Sequence, residues 1–191
     1  RVSPALPATR DSGMLIALQA GDEVVGASWL DPDQQAELVF VTDEGQLLRF
    51  PADTVPMQGP RAGGVVGIRC APSAQVIFFG ACPAGDEQDE PSVVVTVAGH
   101  SNALPGTEAG AAKVTPLDAY PLRGRGGLGV SCHRFLVGQD TLVAAWAGPA
   151  PARAAAQDGS PVDLPAPDRR RSASGITLAR PVTGLGSAGL Q

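Results

Sequence analysis

Short apolar runs, each closed by a turn, follow one another along this chain. Leu38-Val39-Phe40-Val41 is one such run; Thr42-Asp43-Glu44-Gly45 turns it back, Gln46 to Phe50 gives a second strand, and a proline-spaced excursion follows. That excursion ends in Arg61, the pair Gly63-Gly64 and a last apolar strand closing at Cys70. From Ser92 the order returns: SVVVTV, a turn at Ala98-Gly99, AAKVTPLDAYP, then RGRGGLGV, with Gly126-Gly127 standing where Gly63-Gly64 stood. A recurring unit of four short strands predicts blades of a propeller or pinwheel.

A third copy opens at Gln139-Asp140, where DTLVAAW matches the earlier DEVVGASW down to the tryptophan, Trp146 for Trp29. Both tryptophans are expected in the core. The later strands of this copy are weaker: ARAAAQDG, SPVDLPAPD and the basic RRRSASGITLA. The chain therefore divides, as one domain, into the end of a preceding blade (1–21, with a strand Met14 to Leu18), a blade over 22–72 opening on the strand Asp22 to Leu30, a blade over 73–136, a degenerate blade over 137–186 and a tail over 187–191. Ser92 to Val97 is apolar throughout, the mark of a strand buried on both faces. His100 to Gly110 lengthens the second hairpin, and Ala81 to Pro91 reads as an exposed acidic loop holding Asp86, Glu87, Asp89 and Glu90.

Composition sharpens this to an all-β fold. The 191 residues include 24 Gly and 18 Pro, and long Leu/Glu/Lys stretches of the helical kind are missing. No apolar run approaches the ~18 residues of a membrane helix and no signal segment opens the chain, so the expected address is the cytoplasm, with no membrane partner. Cys70, Cys82 and Cys132 lack C-x-x-C spacing, and structural burial is expected of them. The net charge is -5, which opposes a nucleic-acid partner on the total. The charge is uneven, however: Arg123 to Arg134 holds three arginines and Arg169 to Arg180 four, with no acid in either. A phosphate surface needs only one basic face.

The pattern T-x-x-G-x-x-x-R at Thr42 to Arg49, the proline-spaced crossing, R-x-G-G at Arg61 to Gly64, then G-I-R and a strand opening D-x-V-V resembles the repeats of the C-terminal domain of the type IIA topoisomerase A subunit. The resemblance implies the DNA-wrapping β-pinwheel of DNA gyrase and topoisomerase IV, with about three blades plus part of another in this chain. Gln58 to Gly64 lacks the paired arginines of the gyrase box, Q-R-R-G-G-K-G, and Leu122 to Gly129 lacks its glutamine and lysine. Such degeneracy is more like topoisomerase IV, or else the box lies upstream of Arg1. The implied function is noncatalytic: binding and bending duplex DNA for a strand-passage core whose ATP and Mg²⁺ chemistry lies outside this segment. The implied partners are double-stranded DNA, the rest of the topoisomerase and its ATPase B subunit.

Carried over position by position, the implied DNA-binding residues are Arg49, Arg61, Lys113, Arg123, Arg125, Arg134 and the run Arg169, Arg170, Arg171. Cationic side chains on glycine-rich turns, where backbone N–H groups can also approach a duplex, suit contact with phosphates and bent shape. Without the resemblance, the same residues read as solvated turn arginines, and a propeller-like protein-interaction module without DNA binding stands as the alternative function. Gly124 to Gly129 is not followed by Gly-Lys-Ser/Thr or a helix, so it reads as a β-turn. His100 and His133 have no ligand partners at metal spacing and are expected at the surface. Tyr120, in the proline crossing, is expected to pack.

Overall fold

The computed structural model describes residues 1–2, 15–59, 62–84, 91–104 and 106–187. The expected Met14 to Leu18 strand falls partly outside this range, as do Arg61 and the acidic loop residues 86–90. The rest is strands, turns and two single-turn 3-10 helices, Ala52–Thr54 and Leu117–Ala119. Among the described residues no helix is long and apolar enough to cross a membrane.

Three antiparallel sheets carry the fold. In the first, β1 (Ala36–Thr42) pairs with β2 (Gln46–Pro51) around the Asp43-Glu44-Gly45 turn, with Val41 opposite Leu47 and Gly45 at φ 75°. The Thr42 hydroxyl accepts the Gln46 N–H at 3.2 Å and closes that turn. On the other side of β1 lies β3 (Val76–Pro83), and beyond β2 lies β6 (Val130–Ser131). The second sheet repeats the plan with β4 (Ser92–Gly99), β5 (Ala111–Pro116), β7 (Thr141–Pro149) and β10 (Ile176–Thr177), in the order β10-β5-β4-β7. The third joins β8 (Ala152–Ala155), β9 (Pro161–Val162) and β11 (Gly184–Ser187), in the order β11-β8-β9.

The sheets are not consecutive stretches of sequence. Each four-stranded sheet takes its last strand from the repeat that follows, because the proline crossing carries the chain back to the outer side of the preceding hairpin before the next edge strand is made. The sheets are thereby laced together.

Period-two side chains fill the space between sheets. Val39, Val41 and Leu47 of the first sheet meet Val94, Ala98, Leu142 and Ala147 of the second around fully buried Tyr120 and Cys132. The alternate β4 residues Val93, Val95 and Val97 face the third sheet, where Val95 packs near Trp146 and Ala152, and Val97 near Ala154 and Val162. β4 is buried on both faces for this reason. β3 packs against β7, and β7 against β11, so the sheets converge on that edge. β6 and β10 border the opposite edge.

Two expectations about the core are corrected. Trp29 is 79% exposed, and Asp22 to Leu30 forms no ladder. The segment lies along β3, where Ser28 Oγ accepts the Ala81 N–H at 3.1 Å and Gly26 sits against Phe79. It lacks the neighbouring strand that β1 gives β3 and β4 gives β7. Trp146 has that neighbour and covers Gly148. Cys82 and Cys132 are buried, whereas Cys70 is exposed, and all three are free thiols.

Candidate nucleic-acid interface

The proline crossings between hairpin and edge strand carry most of the arginines, so the sheet edge they border is the place to look for a cationic surface. Residues 62–70, 122–134 and 168–176 form three such crossings, and each is hydrogen-bonded to the next. The Arg69 N–H donates to Gly127 O at 2.9 Å, the Gly126 N–H to Gly67 O at 2.6 Å, and the Arg134 N–H to Ala173 O at 3.2 Å. The crossings thus run side by side along the β6 and β10 edge.

Two glycines let the crossings press against the hairpin strands beside them. Gly129 has φ 81°, and a Cβ there would fall 2.7 Å from Leu47 O. Gly175 holds the corresponding place in the next crossing, where a Cβ would fall 2.6 Å from Ala111 O. The left-handed glycines of the first two turns are Gly64 and Gly126, one residue out of the register in which the glycine pairs align by sequence.

Arg123, Arg125, Arg134, Arg169, Arg170 and Arg171 are all exposed on these crossings. Arg169 pairs with Asp118 at 3.0 Å and Arg170 with Asp168 at 2.7 Å. Hydrogen bonds from Arg170 hold the Asp168 carboxyl down at about 2, so that pair is ionised throughout the working range. Arg125 donates to Val66 O at 2.9 Å. Among the described residues, Arg69, Arg123, Arg125, Arg134 and Arg171 have no carboxylate in ion-pair contact. Arg69 is exposed, lies beside Gly127 and is not among the contact residues that the resemblance implies. Its signal is the Gly67-Ile68-Arg69 triplet, which marks the repeat but has the look of a strand.

Two of the expected contact residues point inward instead. Arg49 Nη1 meets Glu37 Oε2 at 2.7 Å and its Nε donates to Tyr120 O at 2.8 Å, with the side chain 13% exposed. Its place in the middle of β2, beneath the second crossing, encloses it. Lys113 is 3% exposed, and its ammonium donates to the carbonyls of Arg170 (3.3 Å) and Arg171. Burial pushes its pKa down to about 8. Arg61 lies outside the described residues.

The crossings' amides also differ from expectation. The N–H groups of Arg69, Arg123, Gly126 and Arg134 already have carbonyl partners. Attraction to an anion therefore rests on the guanidinium side chains more than on the turn backbone.

His133 is buried, not at the surface. The Gly175 N–H donates to Nε2 at 3.2 Å, which leaves the proton on Nδ1, 2.9 Å from Thr96 Oγ1. Burial and the neighbouring Lys113 charge lower its pKa to about 4. A neutral imidazole here ties β4 to the third crossing. His100 is partly exposed, with Nδ1 accepting the Asn102 N–H at 3.1 Å.

Several other acids sit away from the crossings, whereas Asp118 and Asp168 pair with arginines of the third. Asp43 and Glu44 occupy the first hairpin turn, Asp140 the approach to β7, and Asp158 the β8–β9 turn. There they cap local backbone: Asp43 accepts the Gln75 N–H, Asp140 the Ser101 N–H and Asp158 the Ser160 N–H. The first two crossings carry arginines and no acid, on a chain whose total is negative.

Comparison with known proteins follows the same repeats. A family model described as the DNA gyrase C-terminal domain, a β-propeller, matches residues 36–79 and 106–145. The chain is 34% identical over 117 residues to the DNA gyrase A protein of Deinococcus deserti, covering 60% of the chain and 13% of that protein. It is 31% identical over 122 residues to the DNA gyrase A protein of Pseudomonas aeruginosa, covering 63% of the chain and 11% of that protein. The topoisomerase component TopoM of Mycolicibacterium smegmatis is 32% identical over 108 residues, 56% of the chain and 13% of that protein. The chain thus spans only a small part of these relatives. Among solved structures, a DNA gyrase A C-terminal domain superposes with a TM-score of 0.65 at 13% identity, over 90% of the chain and 56% of that structure. The C-terminal domain of DNA topoisomerase IV gives 0.58 at 18%, over 81% and 47%.

Proposed function

Since this chain belongs to the C-terminal domains of type IIA topoisomerase A subunits, we propose that it is a noncatalytic module that binds duplex DNA along its crossing edge and bends it toward a strand-passage core. The observation that carries this reading is the row of hydrogen-bonded crossings with Arg69, Arg123, Arg125, Arg134 and Arg171 exposed and without ion-pair partners among the described residues.

The physics is electrostatic. Each guanidinium that replaces a condensed counterion on the phosphate chain adds a salt-dependent increment to affinity, and carries no base preference. A curved row of such contacts lowers the energy of a bent duplex relative to a straight one. The degenerate box segments at 58–64 and 122–129 favour a topoisomerase IV-like parent. That parent would supply the ATP and Mg²⁺ chemistry, the cleavage core and the ATPase B subunit, and the address would be the cytoplasm.

The test is charge reversal on the crossing edge. Arg123→Glu, Arg125→Glu and Arg134→Glu together are expected to weaken binding to a generic duplex and to flatten the slope of log affinity against log salt by about 3. Unchanged affinity and slope in a folded triple variant would remove the DNA function and leave the interaction-module reading, which rests on the net charge of -5.

A further inference from the structure

The third crossing is built differently from the second, and the difference points to Lys113. In the first sheet Leu47 pairs with Val130, and in the second Ala112 pairs with Ile176. One residue farther on, Leu48 and Lys113 therefore hold the same place in their sheets, directly beneath a crossing. Leu48 is apolar and lies under the glycine turn, its Cδ1 3.7 Å from where a Cβ on Gly127 would stand. The third crossing has no glycine there, reading Arg169-Arg170-Arg171-Ser172-Ala173. Beneath it the buried Lys113 ammonium draws in the carbonyls of Arg170 and Arg171.

We infer that Lys113 is a positioning residue, whose buried ammonium turns the Arg171 carbonyl inward and so sets the Arg171 side chain, which has no ion-pair partner among the described residues, outward toward the phosphates of a bound duplex. This rests on the DNA reading above and specifies how its third contact segment is shaped.

Three observations support the assignment. The loop's other ties run to Arg169 and Arg170 and to its ends: Arg169 pairs with Asp118, Arg170 with Asp168, the Asp168 N–H donates to Val114 O at 2.8 Å and the Ala173 N–H to Arg170 O at 3.1 Å, with Arg134 bonded to Ala173. The Arg170 carbonyl also accepts the Ala173 N–H, whereas among the described residues the Arg171 carbonyl has Lys113 as its inward partner. Second, the desolvation that lowers the Lys113 pKa to about 8 opposes a charge at this position, where the sister sheet folds around leucine. Stability alone is thus better served by an apolar residue. Third, each of the three arginines is exposed although its backbone borders a buried strand.

The experiment compares the parent chain with Lys113→Met and Lys113→Arg, reading amide exchange at Ala173 and duplex affinity across a salt series. The methionine variant is expected to keep its fold and its melting temperature. Its Ala173 amide should exchange at least tenfold faster, and its salt slope should fall by about 1, while Lys113→Arg, which retains a buried cation, restores much of both. Unchanged exchange in Lys113→Met would overturn the assignment whatever happens to DNA. Faster exchange with an unchanged slope would also overturn it, since the loop's shape would then be irrelevant to binding. A parent chain that binds no duplex would remove the DNA reading itself, and the positioning role with it.

Discussion

At the scale of single residues, the structure separates charges that hold the fold from charges that face out. Arg49 and Glu37 are enclosed together, so truncating the arginine leaves a carboxylate with little water and no cation. Arg49→Ala should cost about 3 kcal/mol in chemical denaturation, and Glu37→Gln with Arg49→Met should recover more than half of it. A loss below about 0.5 kcal/mol would mean that the pair is solvated. His133 gives a pH signature of defined sign. Its folded pKa of about 4 lies below the ordinary 6.5, so above pH 6.5 it is neutral in both states and stability is complete. As pH falls from 6.5 toward 4, the unfolded chain binds a proton that the folded chain refuses, and up to about 3 kcal/mol is lost. Urea midpoints between pH 7 and 4.5 should fall more steeply for the parent than for His133→Gln; parallel profiles would show that this histidine is not linked to folding.

At the scale of elements, the closeness of crossing to hairpin is what glycine permits. Gly129→Ala sets a Cβ against Leu47 O in a left-handed backbone and should destabilise the chain by about 2 to 3 kcal/mol. Gly59→Ala, with open space around it and no left-handed φ, should stay within about 0.5 kcal/mol. Equal effects would mean that the crossing does not press on β2. The hairpins themselves were legible in sequence: the apolar run Leu38 to Val41, its Asp-Glu-Gly turn and the valine-rich β4 each fix a local structure by period and turn chemistry. Strand partners across repeats were not legible. Nothing local to Val130 or Ile176 says that each joins the sheet of the preceding hairpin, because that pairing is decided by where the proline crossing delivers the chain. Trp29 shows the same limit from the other side, since a strand-like pattern becomes a strand only beside a partner.

At the scale of the whole molecule, charge is unevenly spread. The arginine crossings line the edge that β6 and β10 border, where Asp118 and Asp168 pair with two of the arginines, while Asp43 and Asp158 occupy hairpin turns, so a total of -5 coexists with a cationic border. Composition could report only the total. The clustering of arginines in the two acid-free stretches was visible beforehand, but burial was not. Arg49 and Lys113 carry the right chemistry on strands that lie beneath a crossing, and only the stacking of the sheets reveals that they are covered. Arg69, by contrast, has a strand-like setting in sequence and lies on the exposed edge. The most direct measurement of the central claim is fluorescence anisotropy of a labelled, sequence-unrelated duplex titrated with the folded chain through a salt series. The cationic border predicts binding at micromolar protein in low salt, with log affinity falling against log salt at a slope of about -3 to -5. Absence of binding under those conditions, or binding indifferent to salt, would contradict it.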